Sequence, residues 1–142
     1  MADSERLKPL QHVAAVRERD AARSFGESTR RLQEEEDRLE ELRRYHGEYL
    51  DRFRVLQQQG MTVAQLLEYQ AFLAKLQAAV GHQEEIVRLR QAEAARRQAD
   101  WSDRRTRTKA MERAVENLTE AELKAGERRD QKSLDDRNQR RR

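Results

Sequence analysis

The fold is decided by six residues near the middle of the chain, Gln57-Gln58-Gln59-Gly60-Met61-Thr62. On both sides of this stretch, apolar residues recur at helical spacing, and only here is the pattern broken. Gly60 can adopt the left-handed conformation that ends a helix. Thr62 can cap the free amides of a second helix, with the Gln65 side chain reaching back to complete a capping box. The sequence therefore predicts two long helices joined by a short turn.

The predicted helices cover about residues 5–57 and 62–135, and the turn covers 58–61. Pro9 would then lie in the first helical turn, where a missing amide hydrogen is tolerated. A turn of this length forces the two helices to run antiparallel. We therefore predict an all-α protein in which two long helices form a single antiparallel coiled-coil hairpin over residues 1–142.

Composition supports this fold class and excludes several others. The chain has 142 residues, of which 40% are charged and 36% are hydrophobic. Ala, Glu, Leu, Lys and Arg make up more than half of it, which is typical of a coiled coil. No apolar run approaches the ~18 residues that cross a bilayer, and no secretion signal is visible. We expect a cytoplasmic protein, and the absence of Cys excludes disulfides and thiolate metal sites.

A seven-residue repeat fixes how the helices pair. Apolar residues recur at its first and fourth positions, a and d, in both helices. One antiparallel register satisfies these positions throughout, in which the numbers of paired residues add up to about 122. The pairs it predicts are Phe53 with Tyr69, Leu42 with Val80, Ala14 with Thr108, and Glu18 with Arg104. The same register leaves residues 118–142 as a projecting basic overhang, which needs another partner or will fray.

Catalytic patterns are missing from the sequence. His12, His46 and His82 show no helical ligand spacing, and no phosphate loop or nucleophile elbow occurs. The acidic run at 34–37, with Glu40 and Glu41, is typical of a solvated helix face. We therefore expect a protein that is not an enzyme and has no catalytic residues, metal site or cofactor.

The aromatic residues cluster around the turn. Tyr45 and Phe72 both fall at heptad position g, outside the seam formed by a and d and on the same flank of the hairpin. With Leu42, Tyr49, Leu76 and Ala79 around them, they predict an exposed apolar stripe. Such a composition is typical of a protein-binding surface, although packing of the turn end explains the same periodicity.

The C-terminal part of the chain, residues 88–142, is basic, with 17 Lys and Arg against 11 Asp and Glu. Its arginines suit recognition of phosphate. Acidic residues are interleaved with them, however, and Trp101, the single aromatic in this part, falls on the seam. A solvated or protein-facing surface is favoured, and a coiled-coil nucleic-acid binder is the alternative from another class.

Four ordered segments carry a resemblance to a known family. They are Asp20-Ala21-Ala22-Arg23 with Gly26-Glu27, Tyr45-x-x-Glu48-Tyr49, Tyr69-Gln70-x-Phe72-x-x-x-Leu76 with Ala79, and Arg129-Asp130-Gln131-Lys132-x-x-Asp135. In order and spacing they resemble the FliJ family, the small coiled-coil proteins of the bacterial flagellar type III export apparatus. Leu66 stands where the family often has a second aromatic residue near the start of the second helix.

The resemblance implies a stalk similar to the coiled coil of the rotary ATP synthase γ subunit. Such a stalk enters the pore of the hexameric export ATPase and promotes its assembly. It also implies contact with the cytoplasmic linker of the membrane export-gate protein and with export chaperones, and a place peripheral to the cell membrane at the flagellar base. The equivalent stalk of a virulence type III secretion system is a second interpretation.

Matching positions imply which residues meet each partner. The export-gate surface would consist of Leu42, Tyr45, Tyr49, Phe72, Leu76 and Ala79. The ATPase-binding residues would be Asp20, Arg23, Arg128, Arg129, Asp130 and Lys132.

Overall fold

The computed structural model describes residues 2–141 and confirms the all-α fold class. Helix α1 spans Asp3–Gln59 and helix α2 spans Val63–Arg141, and the two pack against each other as a hairpin. No strand occurs between residues 2 and 141. The repeat of a and d positions explains this fold, because each helix can bury its apolar stripe only against the other.

The turn between the helices has the predicted chemistry. Gly60 has a φ of 101°, and its amide donates to the Leu56 carbonyl at 3.0 Å. The Gln65 amide donates to Thr62 Oγ1, and the Thr62 amide donates to Gln65 Oε1, both at 3.1 Å. The capping box is therefore confirmed, and it fixes the start of α2.

Both helices are longer than the sequence pattern indicated. Helix α1 begins at Asp3, so Pro9 lies in its second turn and the prediction of a first-turn proline is wrong. Helix α2 continues to Arg141, about six residues beyond the predicted end near 135. No proline or glycine follows Gly126 to stop α2, and its basic last residues suit the negative end of a helix dipole.

The chain forms two compact units, and both helices contribute to each. The turn unit is Ser24–Gln98. The terminal unit consists of the described residues up to Arg23 and those from Ala99 onward. Buried residues of the turn unit are Leu39, Phe53, Leu76, Val87, Ala94, Ser28 and Gln83, and those of the terminal unit are Ser4, Ala21 and Thr108. All of them occupy a or d positions.

Contacts within each unit match the predicted register. In the turn unit the rings of Phe53 and Tyr69 stack with centroids 5.8 Å apart. In the terminal unit the Thr108 hydroxyl donates to the Ala14 carbonyl at 3.3 Å. Arg104, in contrast, donates to the Asp100 carboxylate at 3.3 Å in place of the predicted pairing with Glu18. An acceptor one turn away on the same helix is reached without ordering a second chain segment.

A polar layer interrupts the seam of the turn unit. The Gln83 side-chain amide donates to the Glu35 carbonyl at 3.0 Å and to Glu35 Oε2 at 2.5 Å. Arg38 donates to the other carboxylate oxygen at 2.9 Å. Gln83 is 8% exposed and the Glu35 side chain is 13% exposed, so this pair is largely withdrawn from water, and no buried side-chain nitrogen or oxygen among residues 2–141 lacks a hydrogen-bond partner. In some coiled coils a buried polar layer of this kind specifies the register.

Candidate protein-binding surfaces

Three aromatic side chains form a cluster on one flank of the turn unit. The rings of Tyr45 and Tyr49 lie 4.8 Å apart, and those of Tyr49 and Phe72 lie 4.7 Å apart. Tyr45 and Tyr49 are neighbours because they are four residues apart on α1. Phe72 comes from α2, so Tyr49 bridges the two helices. We call Tyr45, Tyr49 and Phe72 the aromatic cluster.

The aromatic cluster is held in place and yet remains accessible. Tyr45 is 43% exposed and Phe72 is 37% exposed, as their g positions predicted. The Tyr45 hydroxyl donates to the Tyr49 hydroxyl at 3.3 Å, and this hydrogen bond raises the pKa of the Tyr45 phenol. The Arg52 guanidinium lies 5.2 Å from the centre of the Tyr49 ring. Ordered aromatic rings with open faces lose little side-chain entropy on binding a partner.

The other residues of the predicted stripe are less accessible. Leu42, Tyr49 and Ala79 are half-buried. Leu76 is 8% exposed and belongs to the seam, so it supports the surface from beneath. Sequence reasoning missed Val55, which is 52% exposed and lines a shallow groove of about 450 Å³ with Arg52. Its place at heptad position c, beside the g flank, was the signal that could have found it.

All six residues matched to ATPase binding belong to the terminal unit and are exposed. The contact of Ala14 with Thr108 sets Asp20 level with about residue 102 of α2. Arg128 lies about 26 residues further along, which is ~39 Å at ~1.5 Å per residue. Asp20 and Arg23 are therefore not brought together with the set Arg128, Arg129, Asp130 and Lys132.

A contact that the sequence pattern missed ties the start of α1 to α2. The Ser4 hydroxyl donates to Glu122 Oε2 at 2.6 Å, and the Ser4 amide donates to Glu122 Oε1 at 3.0 Å. The Glu122 carboxylate therefore caps an amide that the first turn of α1 leaves free. Hydrogen bonds from Ser4 lower the pKa of Glu122.

This contact moves the start of the projecting segment. The predicted overhang began at residue 118, but α1 and α2 still bond at Glu122. Residues 127–141 are all exposed. We call 127–141 the C-terminal extension, and it is shorter than predicted.

The described residues give no indication of other kinds of site. Within residues 2–141, no three His, Asp or Glu side chains are grouped in a way that could hold a metal ion. Over the same residues, neither helix has a stretch long and apolar enough to cross a membrane.

The fold and its exposed aromatic surface define the class of this protein: an antiparallel coiled-coil hairpin that presents aromatic side chains outside its seam. The sequence profile of the flagellar FliJ proteins matches residues 3–142. The chain belongs to this flagellar protein family.

Individual relatives agree with this assignment. The flagellar FliJ protein of Escherichia coli (strain K12) is 29% identical over 136 residues, covering 96% of this chain and 92% of the relative. That of Salmonella typhi is 29% identical over 137 residues, with the same coverage of both chains. No solved structure matches the chain significantly.

Proposed function

We propose that this protein is a non-catalytic stalk and adaptor of the flagellar type III export apparatus. It binds the hexameric export ATPase and promotes its assembly, and it links the ATPase to the cytoplasmic linker of the export gate and to export chaperones. It works in the cytoplasm, peripheral to the membrane at the flagellar base. The observation that carries the proposal is the aromatic cluster, which offers accessible rings on a fold that needs none of them exposed.

The aromatic cluster is the proposed gate-binding surface. Aromatic side chains dominate the binding energy of protein interfaces because they bury a large area with few rotatable bonds. Tyr45 and Phe72 present such area at 43% and 37% exposure, and Tyr49 fixes their spacing. Leu42, Leu76 and Ala79 complete the surface or support it.

The terminal unit is the proposed ATPase-binding part. Its C-terminal extension is exposed and carries Arg128, Arg129 and Lys132 beside Asp130. A helix tip inside a ring meets several similar subunits. Many moderate charge contacts suit such an arrangement better than one deep pocket, because the same tip has to bind each subunit. Asp20 and Arg23 would contribute from α1, at a different level of the ring.

One experiment tests both parts with two variants. Tyr45→Ala and a chain ending at Gly126 are each assayed for affinity to a purified gate-linker fragment and for stimulation of the purified export ATPase. Tyr45→Ala should weaken gate binding by ~1–3 kcal/mol and leave stimulation intact. The shortened chain should lose stimulation and keep gate binding, because the extension and the aromatic cluster belong to different units.

The control for the first variant is Leu67→Ala, which truncates an exposed side chain on the opposite flank of the turn unit. It should change neither activity. Loss of far-UV helicity in Tyr45→Ala in proportion to lost binding would show that Tyr45 is a packing residue. Full stimulation by the shortened chain would contradict the assignment of the ATPase to the extension.

A further inference from the structure

The flank that carries the aromatic cluster extends further along α2. Phe72, Ala79 and Ile86 follow one another at seven-residue spacing, all at heptad position g. Phe72 is exposed, and Ala79 and Ile86 are half-buried. A two-stranded coiled coil uses only a and d, whereas an apolar a, d and g face is typical of a helix that packs against two neighbours. Helix α2 therefore has a wider apolar face than α1 covers.

Helix α1 presents a different row on the same flank. Its g positions are Arg31, Arg38, Tyr45 and Arg52. The Arg31 guanidinium lies 4.0 Å from the Glu93 carboxylate, which occupies the next g position of α2 after Ile86. This ion pair marks one end of a groove between the two rows. From there to Arg52 the groove covers three heptads, or ~30 Å at ~1.5 Å per residue.

Arg38 and Arg52, two cations of this groove, can accept a new partner. Arg38 is 65% exposed in its side chain, and it bonds the Glu35 carboxylate of the polar layer through Nη1, so its other guanidinium nitrogens stay accessible. Arg52 lies over Tyr49 and pairs with no carboxylate among residues 2–141. A guanidinium has five N–H donors, so an incoming carboxylate can bond Arg38 and Arg52 without displacing Glu35 or Tyr49.

We propose that this groove receives an amphipathic helix of a partner as a third strand of the coiled coil. Its apolar side chains pack on Phe72, Ala79 and Ile86, and its acidic side chains face Arg38 and Arg52. Two rows at seven-residue spacing suit knobs-into-holes packing of a helix, whereas an extended peptide needs a free sheet edge to pair with. The inference rests on the proposed gate-binding function and specifies the conformation and charge of the bound segment.

Charge reversal tests the inference on the full chain. Two synthetic three-heptad peptides carry Leu at a and d, with Glu at e and g in one and Lys in the other. By fluorescence anisotropy, the unmodified protein should bind the Glu peptide about tenfold more tightly than the Lys peptide, because each of the two arginines attracts Glu and repels Lys. The double variant Arg38→Glu/Arg52→Glu should reverse this preference.

A matched control distinguishes an effect of the groove from an effect of the net charge of the protein. Arg30→Glu/Arg44→Glu makes the same change in net charge at two exposed f positions of α1, opposite the seam. It should preserve the preference for the Glu peptide. Equal affinity of the unmodified protein for both peptides, absence of binding, or reversal by the control pair would overturn the inference.

The apolar row has its own test. Ile86→Ala should weaken binding of the Glu peptide severalfold, whereas Leu67→Ala on the other flank should not change it. Equal effects of the two substitutions would show that the peptide does not lie along the α2 row. Binding of a DNA duplex that displaces the peptide would assign the arginine row to nucleic acid and contradict the proposal.

The gate-linker fragment distinguishes failure of this inference from failure of the proposed function. If Tyr45→Ala loses the fragment while Arg38→Glu/Arg52→Glu binds it as tightly as the unmodified protein, the third-helix inference is wrong and the gate function stands. If the fragment does not bind the unmodified protein but the Glu peptide does, the proposed function is wrong and the groove remains a helix-binding site.

Discussion

The turn unit and the terminal unit use the same heptad repeat but join their helices differently. The turn unit buries large apolar side chains, among them Leu39, Phe53 and Val87, around one polar layer. The buried positions of the terminal unit are Ser4, Ala21 and Thr108, which are small and in two cases hydrogen-bonded across the helices. Since apolar burial scales with area, the seam of the turn unit should be the more stable. A regular repeat thus fixes the register without fixing the strength of the contact.

The largest effect is expected in the turn-unit seam. Phe53→Ala removes a ring that is 9% exposed and stacked on Tyr69, so it should destabilise the chain by about 3 kcal/mol in urea unfolding followed by circular dichroism. Val55→Ala, which truncates a side chain that is 52% exposed, is the control and should cost less than ~0.5 kcal/mol. Similar costs for the two would mean that the seam does not hold this unit together.

A smaller loss is expected from the polar layer of the same unit. Gln83→Ala removes both hydrogen bonds to Glu35 and leaves that carboxylate with Arg38 alone, at a cost of about 1–3 kcal/mol. Gln91→Ala, at an exposed position of α2, should be silent in the same unfolding measurement. A stabilised Gln83→Ala would show that the layer is retained for register and opposes stability, as buried polar groups do in some coiled coils.

The smallest effect is expected at the contact that ties α1 to Glu122. Ser4→Ala should cost ~1 kcal/mol and be visible mainly as faster hydrogen exchange in the first turn of α1. Ser102→Ala, an exposed site in the same unit, is the control. Unchanged exchange in Ser4→Ala would mean that the Ser4 amide bond alone holds this end.

The contact between Ser4 and Glu122 makes the stability of the first turn of α1 depend on pH, and the sign of this dependence follows from the lowered pKa of Glu122. Its stabilisation is present above the ordinary carboxyl value of 4.5 and is lost as the pH falls through the lower folded value. The protection factor of the first-turn amides, taken against the intrinsic exchange rate at each pH, should therefore fall in acid, and the fall should be smaller in Ser4→Ala, which lacks the hydroxyl that lowers the Glu122 pKa.

Much of the fold could be predicted because it depends on local chemistry and on a repeat. The capping box of Thr62 and Gln65 is a four-residue pattern, and the pairing of Phe53 with Tyr69 follows from the heptad once the turn is placed. The exposure of Tyr45 and Phe72 followed from the same arithmetic. Their binding role stays a prediction, because exposure does not identify a partner.

The hydrogen-bond partners of long charged side chains could not be predicted, because such a side chain can reach more than one acceptor or donor. The register places Ser4 opposite Leu118, yet the Glu122 side chain extends a full turn to reach it. Arg104 had an acceptor available on either helix, and only the structure identifies Asp100 as the partner. Heptad positions assign a face to each residue, but they do not assign a hydrogen-bond partner to a flexible charged group.

The hydrogen bonds between Gln83 and Glu35 restrict where insertions and deletions can occur in the two helices. These two residues meet because the number of residues between each of them and the turn is fixed. An insertion in one helix alone separates them and shifts every later layer. Only insertions or deletions that occur in both helices together, at equal length, keep the layer intact. Among homologues, insertions and deletions between the polar layer and the turn should therefore occur as pairs of equal length, one in each helix. A length change in one helix alone should occur only after Glu122, where α2 does not have to meet a residue of α1.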